Sequence, residues 1–107
     1  MMMITADKIT ELTEMAMKIN QHYSDYWFSL DDSMLNGGQK PVYTANVEVN
    51  YNTIEVVFMG DGEIDRYFTF AHKRYEDLYE KEKLEKGYDP DLKTAEARLR
   101  ELLKEVA

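Results

Sequence analysis

The chain has 107 residues, a formal charge of −8 and no cysteine, and 44% of its residues are hydrophobic. This length suits one hydrophobic core, so we expect a single domain over residues 1–107. The lack of cysteine excludes disulfides and thiolate metal sites and fits the cytoplasm, and the acidic charge argues against direct binding of nucleic acid.

The first predicted element is an amphipathic helix over residues 5–24. Thr5 is a suitable N-cap, because its hydroxyl can accept a hydrogen bond from a backbone N–H of the first turn. Apolar side chains then recur every three or four positions and share one face of a helix, which we expect to cover a sheet. This stripe consists of Ile9, Leu12, Ala16, Ile19 and Tyr23. The apolar group that follows is interpreted as the helix end or as a short strand that enters a loop, and it consists of Tyr26, Trp27, Phe28 and Leu30.

Three strands are predicted, over residues 42–51, 54–59 and 63–70. Apolar and polar residues alternate in the first of them, which is typical of an antiparallel strand with one buried face. A two-residue loop at residues 52–53 would pair Val49 with Val56 and would keep the apolar side chains of both strands on one face.

The second turn of the predicted sheet has the sequence Gly-Asp-Gly at residues 60–62. A two-residue Asp-Gly loop would place Phe58 opposite Asp65, which brings a carboxylate onto the apolar face. We therefore expect a three-residue loop that sets Phe58 beside Ile64. In this register Arg66 falls on the core face, where it would have to reach past an edge or turn outward at a bulge.

Two helices are predicted after the sheet, over residues 73–86 and 90–106. Gly87 ends the first, and Asp89 and Pro90 open the second. The second helix has an apolar stripe of Leu92, Ala95, Leu99, Leu102, Leu103 and Val106. The predicted fold class is thus α+β, a three-stranded antiparallel meander with one N-terminal and two C-terminal helices in the order α-β-β-β-α-α.

Motifs for catalysis, cofactor binding or metal binding are not found in the sequence. His22 and His72 are the only histidines, and neither has a second ligand at metal-binding spacing. Asp31 and Asp32 have no recognisable nucleophile or oxyanion donor beside them. A run of about 18 apolar residues, which a membrane-spanning helix needs, is also absent. We therefore expect a protein that is not an enzyme, holds no cofactor and does not enter a membrane.

The feature that favours a function is the polar face of the predicted sheet. In the predicted register this face has carboxylates around an apolar and aromatic centre, and no lysine or arginine. Two simpler interpretations stay open, because the face could be the solvated side of the sheet or could be covered by a C-terminal helix. The binding interpretation assigns to a partner the residues Glu48, Glu55, Val57, Met59, Glu63, Asp65 and Tyr67.

Such an acidic face would attract a basic protein and speed its association. In small size, acidity and lack of catalytic motifs the chain resembles the inhibitors carried by phages and mobile elements, including anti-CRISPR proteins and DNA mimics. This resemblance implies a partner that is a nuclease or another nucleic-acid-binding protein. The alternative is a small structural or assembly protein that forms a homodimer through the last helix or an exposed sheet edge.

The predicted register also assigns consequences to substitutions. Lysine in place of Glu48, Glu55 and Asp65 should leave the fold intact, because those side chains are expected to point outward. A carboxylate in place of Val49 or Phe58 should unfold the domain, because both are expected in the core, where an unpaired charge is costly.

Overall fold

The computed structural model describes residues 4–29, 42–60, 62–75, 77–78 and 92–106. The elements are α1 (Ala6–Ser29), β1 (Tyr43–Val49), β2 (Thr53–Gly60), β3 (Glu63–Phe70), α2 (residues 73–75 and 77–78) and α3 (Leu92–Val106). The strands form one antiparallel sheet in the order β1-β2-β3. The predicted α+β meander with flanking helices is therefore confirmed. The remainder of the helix predicted over 73–86 lies outside the described residues.

The helix α1 begins where the sequence predicted and extends five residues further than expected, to Ser29. Its start is capped by Thr5, which accepts hydrogen bonds from Lys8 N–H at Oγ1 (3.2 Å) and from Ile9 N–H at the carbonyl oxygen (3.1 Å). No glycine or proline occurs between this cap and residue 37, so nothing stops the helix at residue 24. The residues expected to be a helix end or a strand are helical as far as Ser29.

The core lies between α1, α3 and one face of the sheet. We call this the inner face, and it bears Ala45, Val56 and Phe58. The buried side chains of α1 are four of the five residues of the predicted stripe together with Met15, and those of α3 are Ala95, Leu99 and Leu102. The apolar stripe of the last helix is thus used in the core of its own molecule.

The pairing of β1 with β2 keeps the predicted faces but not the predicted partners. Val49 lies opposite Ile54, where Val56 was expected, so the register is shifted by two residues. A longer turn causes the shift, and it is closed by a hydrogen bond from Asn50 N–H to the Thr53 carbonyl oxygen (2.8 Å). Because side chains alternate with a period of two, a two-residue shift leaves every side chain on its face, and alternation alone cannot detect it.

The pairing of β2 with β3 contradicts the predicted register by one residue. Phe58 lies opposite Asp65 and Met59 opposite Ile64, which is the two-residue Asp-Gly loop that the apolar pattern argued against. A one-residue error exchanges the two faces of a strand. The side chains of Ile64 and Arg66 therefore lie on the face opposite the core, and Asp65 lies on the inner face.

The glycines of this turn explain why the short loop forms. Gly62 has a φ of +77°, a left-handed conformation that glycine adopts without strain. Gly60 is needed for a different reason, because a Cβ atom there would clash with Cδ1 of Tyr43 and would lie 2.8 Å from the Val42 carbonyl oxygen. The two glycines thus allow a tight turn and a close approach of β1 at the same end of the sheet.

The side chain of Asn20 joins α1 to the backbone of β1. Its Nδ2 donates to the Ala45 carbonyl oxygen (2.7 Å), and its Oδ1 accepts from Ala45 N–H (2.8 Å). Ala45 is completely buried, so these groups depend on the amide for hydrogen bonding. Asn20 therefore fixes the helix to the sheet at one point.

Four charged side chains join α1 to α3. Lys8 pairs with Glu11 (3.1 Å) and Glu96 (3.0 Å), and Arg100 pairs with the same two carboxylates (2.6 and 3.0 Å). Hydrogen bonds from Lys8 and Arg100 lower the pKa of Glu96 from its ordinary value. The contribution of this cluster to stability is therefore present at neutral pH and is lost as the pH falls through that lowered pKa.

The pH dependence of this cluster can be measured with Glu96→Gln. The variant should have a slightly lower free energy of unfolding than the parent at about pH 7, and the difference should be smaller at about pH 2, because a lower pH favours the protonated carboxyl. The effect is small because the side chains are partly exposed. Urea unfolding at both pH values checks this, and an equal loss at the two pH values would contradict it.

Candidate protein-binding surface

The outer face of the sheet, opposite α1, is the surface from which a binding site was predicted. Its side chains form cross-strand rows, beginning at the turn between β2 and β3. The rows are Thr44, Met59 and Ile64; Asn46, Val57 and Arg66; Glu48, Glu55 and Phe68; and Thr53 with Phe70. The composition of this face changes from apolar at the turn to charged in its middle.

The structure divides the seven predicted contact residues between the two faces. Glu48, Glu55, Val57 and Met59 lie on the outer face as predicted. The three contributed by β3 lie on the inner side, and they are Glu63, Asp65 and Tyr67. The predicted assignment was wrong for β3 because it followed from the one-residue error in register. The continuous acidic face is therefore not formed.

The outer face is also not free of basic residues. Arg66, expected on the core face, lies on the outer face and pairs with Glu55 at 2.9 Å. Glu55 lies directly opposite Glu48, and like charges in such positions repel each other. Arg66 offsets this repulsion, so the middle of the outer face is an internally paired group of charges.

Asp65 and Tyr67 serve to attach α3 to the sheet. The Arg98 guanidinium donates a hydrogen bond to the Asp65 carboxylate and lies 4.9 Å from the centre of the Phe58 ring. Partial burial acts to lower the pKa of Arg98, but the interactions with Asp65 and Tyr67 outweigh this effect and the pKa is raised overall. The carboxylate of Asp65 is thus paired within the molecule, although its side chain is partly exposed.

The exposed apolar part of the outer face lies near the turn. Val57 and both phenylalanines of β3 are buried, although they lie on the side opposite α1. Met59 and Ile64 are cross-strand neighbours and are 45% and 59% exposed. We call Thr44, Met59 and Ile64 the tip patch. It is a small, mainly apolar surface, with Asn46 exposed on the next row and Glu48 exposed on the row after that.

Ile64 is the member of this patch that the sequence-based prediction placed in the core. The signal that could have found it was the Asp-Gly dipeptide, which strongly favours a two-residue hairpin. Accepting that turn would have placed Ile64 beside Met59. The prediction instead assumed that all apolar residues lie on one face of the sheet. That assumption fails where both faces of a sheet are partly buried.

The described residues contain no group of three or more His, Asp or Glu side chains that could hold a metal ion. Within the same residues, none of the helices combines the length and the apolar character needed to cross a membrane. Comparisons with protein-family models, curated proteins and solved structures find no match to this chain. A functional proposal therefore depends on the surface itself.

Proposed function

We propose that the protein is a non-catalytic protein-binding module that contacts its partner through the tip patch and the nearby residues Asn46 and Glu48. The observation that supports this most directly is the exposure of Met59 and Ile64 side by side. Neighbouring exposed apolar side chains lose contact with water when a partner covers them, and such residues at the centre of a contact provide most of its energy.

The charge of the chain favours a basic partner. The formal charge is −8, and most of the excess acidic residues fall in residues 1–70, which include the sheet. Glu63 adjoins Ile64 of the tip patch, Glu48 lies two rows from the patch, and both are exposed. Acidic groups around an apolar centre speed association with a basic protein and disfavour acidic ones.

The narrower proposal is inhibition of a nuclease or another nucleic-acid-binding protein by an inhibitor of the phage or mobile-element type. The net charge supports it, but Glu55 and Asp65 are paired with arginines of the same chain and contribute little to mimicry of phosphates. Mimicry of phosphate charge would therefore depend on the carboxylates of Glu48 and Glu63. We propose a cytoplasmic location, which the lack of cysteine favours.

The alternative proposal, assembly into homo-oligomers, is less well supported by the last helix than the sequence suggested. Its residues Ala95, Leu99 and Leu102 pack in the core of the same molecule and are not available to a second copy. An assembly role would have to use the tip patch or another exposed surface.

The proposal can be tested by capture of proteins from a lysate of the source organism on the immobilised chain at low and high salt. The double variant Met59→Ser, Ile64→Ser removes the apolar centre at exposed positions and should lower affinity for the captured partner about tenfold or more. Glu48→Lys should slow association, chiefly at low salt. Met17→Ser, an exposed methionine of α1, is the matched control.

Loss of one basic protein with the double variant, and its retention by Met17→Ser, is the expected result. Capture of the same proteins by the double variant and the parent chain would contradict the proposed surface. Retention of the chain alone would favour the assembly alternative.

A further inference from the structure

A groove lined by aromatic side chains lies at the end of the sheet that is farthest from the tip patch. It has a volume of about 630 Å³ and lies between the β1–β2 turn and α2. Tyr51 and Leu78 are 82% and 66% exposed, so both present apolar surface to a ligand in the groove. The ring centroids of Tyr51 and Tyr75 are 6.2 Å apart with the rings nearly perpendicular, so the two tyrosines form adjoining walls.

The groove also contains a localised positive charge. Lys73 and Arg74 are the only adjacent pair of lysine or arginine residues in the sequence. Arg74 and His72 line the groove, and the backbone N–H of Arg74 donates to Nδ1 of His72 at 3.1 Å, which fixes the imidazole beside Tyr75. Within the described part of the chain no carboxylate pairs with the Arg74 guanidinium, whereas Lys73 is 3.9 Å from Asp77.

These features define the chemistry of a ligand. Tyrosine walls accept a planar ring in edge-to-face contact, and a guanidinium binds a carboxylate or phosphate through paired hydrogen bonds. The volume is in the range of small-molecule sites, about 300 to 1,000 Å³. A polyanion such as single-stranded nucleic acid would be repelled by the overall charge of −8.

We propose that this groove binds a small aromatic anion, a planar ring that bears a carboxylate or phosphate group. The ring contacts Tyr51, Tyr75 and Leu78, and the anionic group pairs with Arg74. A nucleoside monophosphate and an aromatic carboxylic acid share this chemistry. The site is separate from the tip patch, so its test is independent of the proposed protein-binding function.

The test is a titration of the ¹⁵N-labelled chain followed by two-dimensional NMR, with AMP and with 4-hydroxybenzoate as probes. Saturable shifts of the amides of residues 51–53 and 71–75 are expected, with a dissociation constant of about 10⁻⁴ to 10⁻³ M because the groove is open to solvent. The uncharged analogues adenosine and 4-hydroxybenzamide should bind about tenfold more weakly.

Arg74→Ala should weaken binding of the anions about tenfold or more and leave the uncharged analogues unchanged, with Arg74→Lys intermediate. Lys18→Ala, an exposed charge on α1, is the control and should bind as the parent chain does. Saturation by one probe alone supports the proposal and identifies the ring type. The proposal is overturned if neither probe produces saturable shifts at about 10 mM. It is also overturned if the Arg74→Ala variant binds the anions as tightly as the parent chain does while its other resonances are unchanged.

Discussion

Phe58→Asp is expected to unfold the domain. Phe58 is 3% exposed in the middle of β2, on the inner face that packs against the helices. The substitution removes a buried aromatic ring and introduces a charge, which together cost about 5 kcal/mol or more, comparable with the whole stability of a small domain. Arg98 does not rescue it, because Arg98 already pairs with Asp65, which lies directly across from residue 58 and would repel the new carboxylate.

Val49→Asp is the matched control, and it should fold. The sequence predicted that both positions are in the core, but Val49 is 54% exposed at the end of β1. The variant should differ from the parent by no more than about 1 kcal/mol, as is usual for exposed positions. Circular dichroism and urea unfolding distinguish the two variants. Unfolding by both would contradict the observed burial of β1, and tolerance of both would contradict the meander.

Asn20→Ala is expected to have the second largest effect. The substitution removes both hydrogen bonds to Ala45 and leaves a buried N–H and a buried carbonyl without partners. Each such group costs about 1–3 kcal/mol, so a loss of about 2 kcal/mol or more in the free energy of unfolding is expected. Hydrogen exchange of the Ala45 amide should also accelerate beyond what the change in global stability accounts for.

Two further variants make this prediction specific to the amide. Asn20→Asp keeps an acceptor for Ala45 N–H but places a carboxylate oxygen against the Ala45 carbonyl oxygen, so it should also destabilise. Gln21→Ala removes a neighbouring amide that bonds only to Asp25 on the helix surface among the contacts described, and it should have little effect. Equal losses for Asn20→Ala and Gln21→Ala would rule out a special role for Asn20.

The order of the elements and the core faces of both long helices could be predicted from the sequence. Periodic apolar residues in α1 and α3 and alternation in β1 are local signals, and local signals need no knowledge of what packs against them. Thr5 as the cap of α1 is of the same kind. The helix α1 extends past its predicted end because Tyr26, Trp27 and Phe28 do not stop a helix. Aromatic residues occur in helices and in strands, so their identity alone did not distinguish the two.

The register of β3, and with it the predicted binding surface, could not be predicted in this way. Both faces of β3 carry apolar side chains. Ile64, Phe68 and Phe70 lie on one face, and Tyr67 lies on the other. The face of β3 that packs on the core is determined by partners distant in sequence, such as Arg98 for Asp65. The local turn signal at residues 61–62 gave the correct answer, and the global assumption of a single apolar face overruled it.

The Asn20 amide also limits the ways in which another chain can bind to the edge of β1. A strand at the border of a sheet presents N–H and carbonyl groups on which a strand from another chain can be added, the route to edge-to-edge aggregation and to recognition of extended peptides. In a seven-residue strand only every other residue points these groups away from β2, and Asn20 occupies those of Ala45. The run available to an incoming strand is therefore interrupted, which favours recognition through side chains over strand addition.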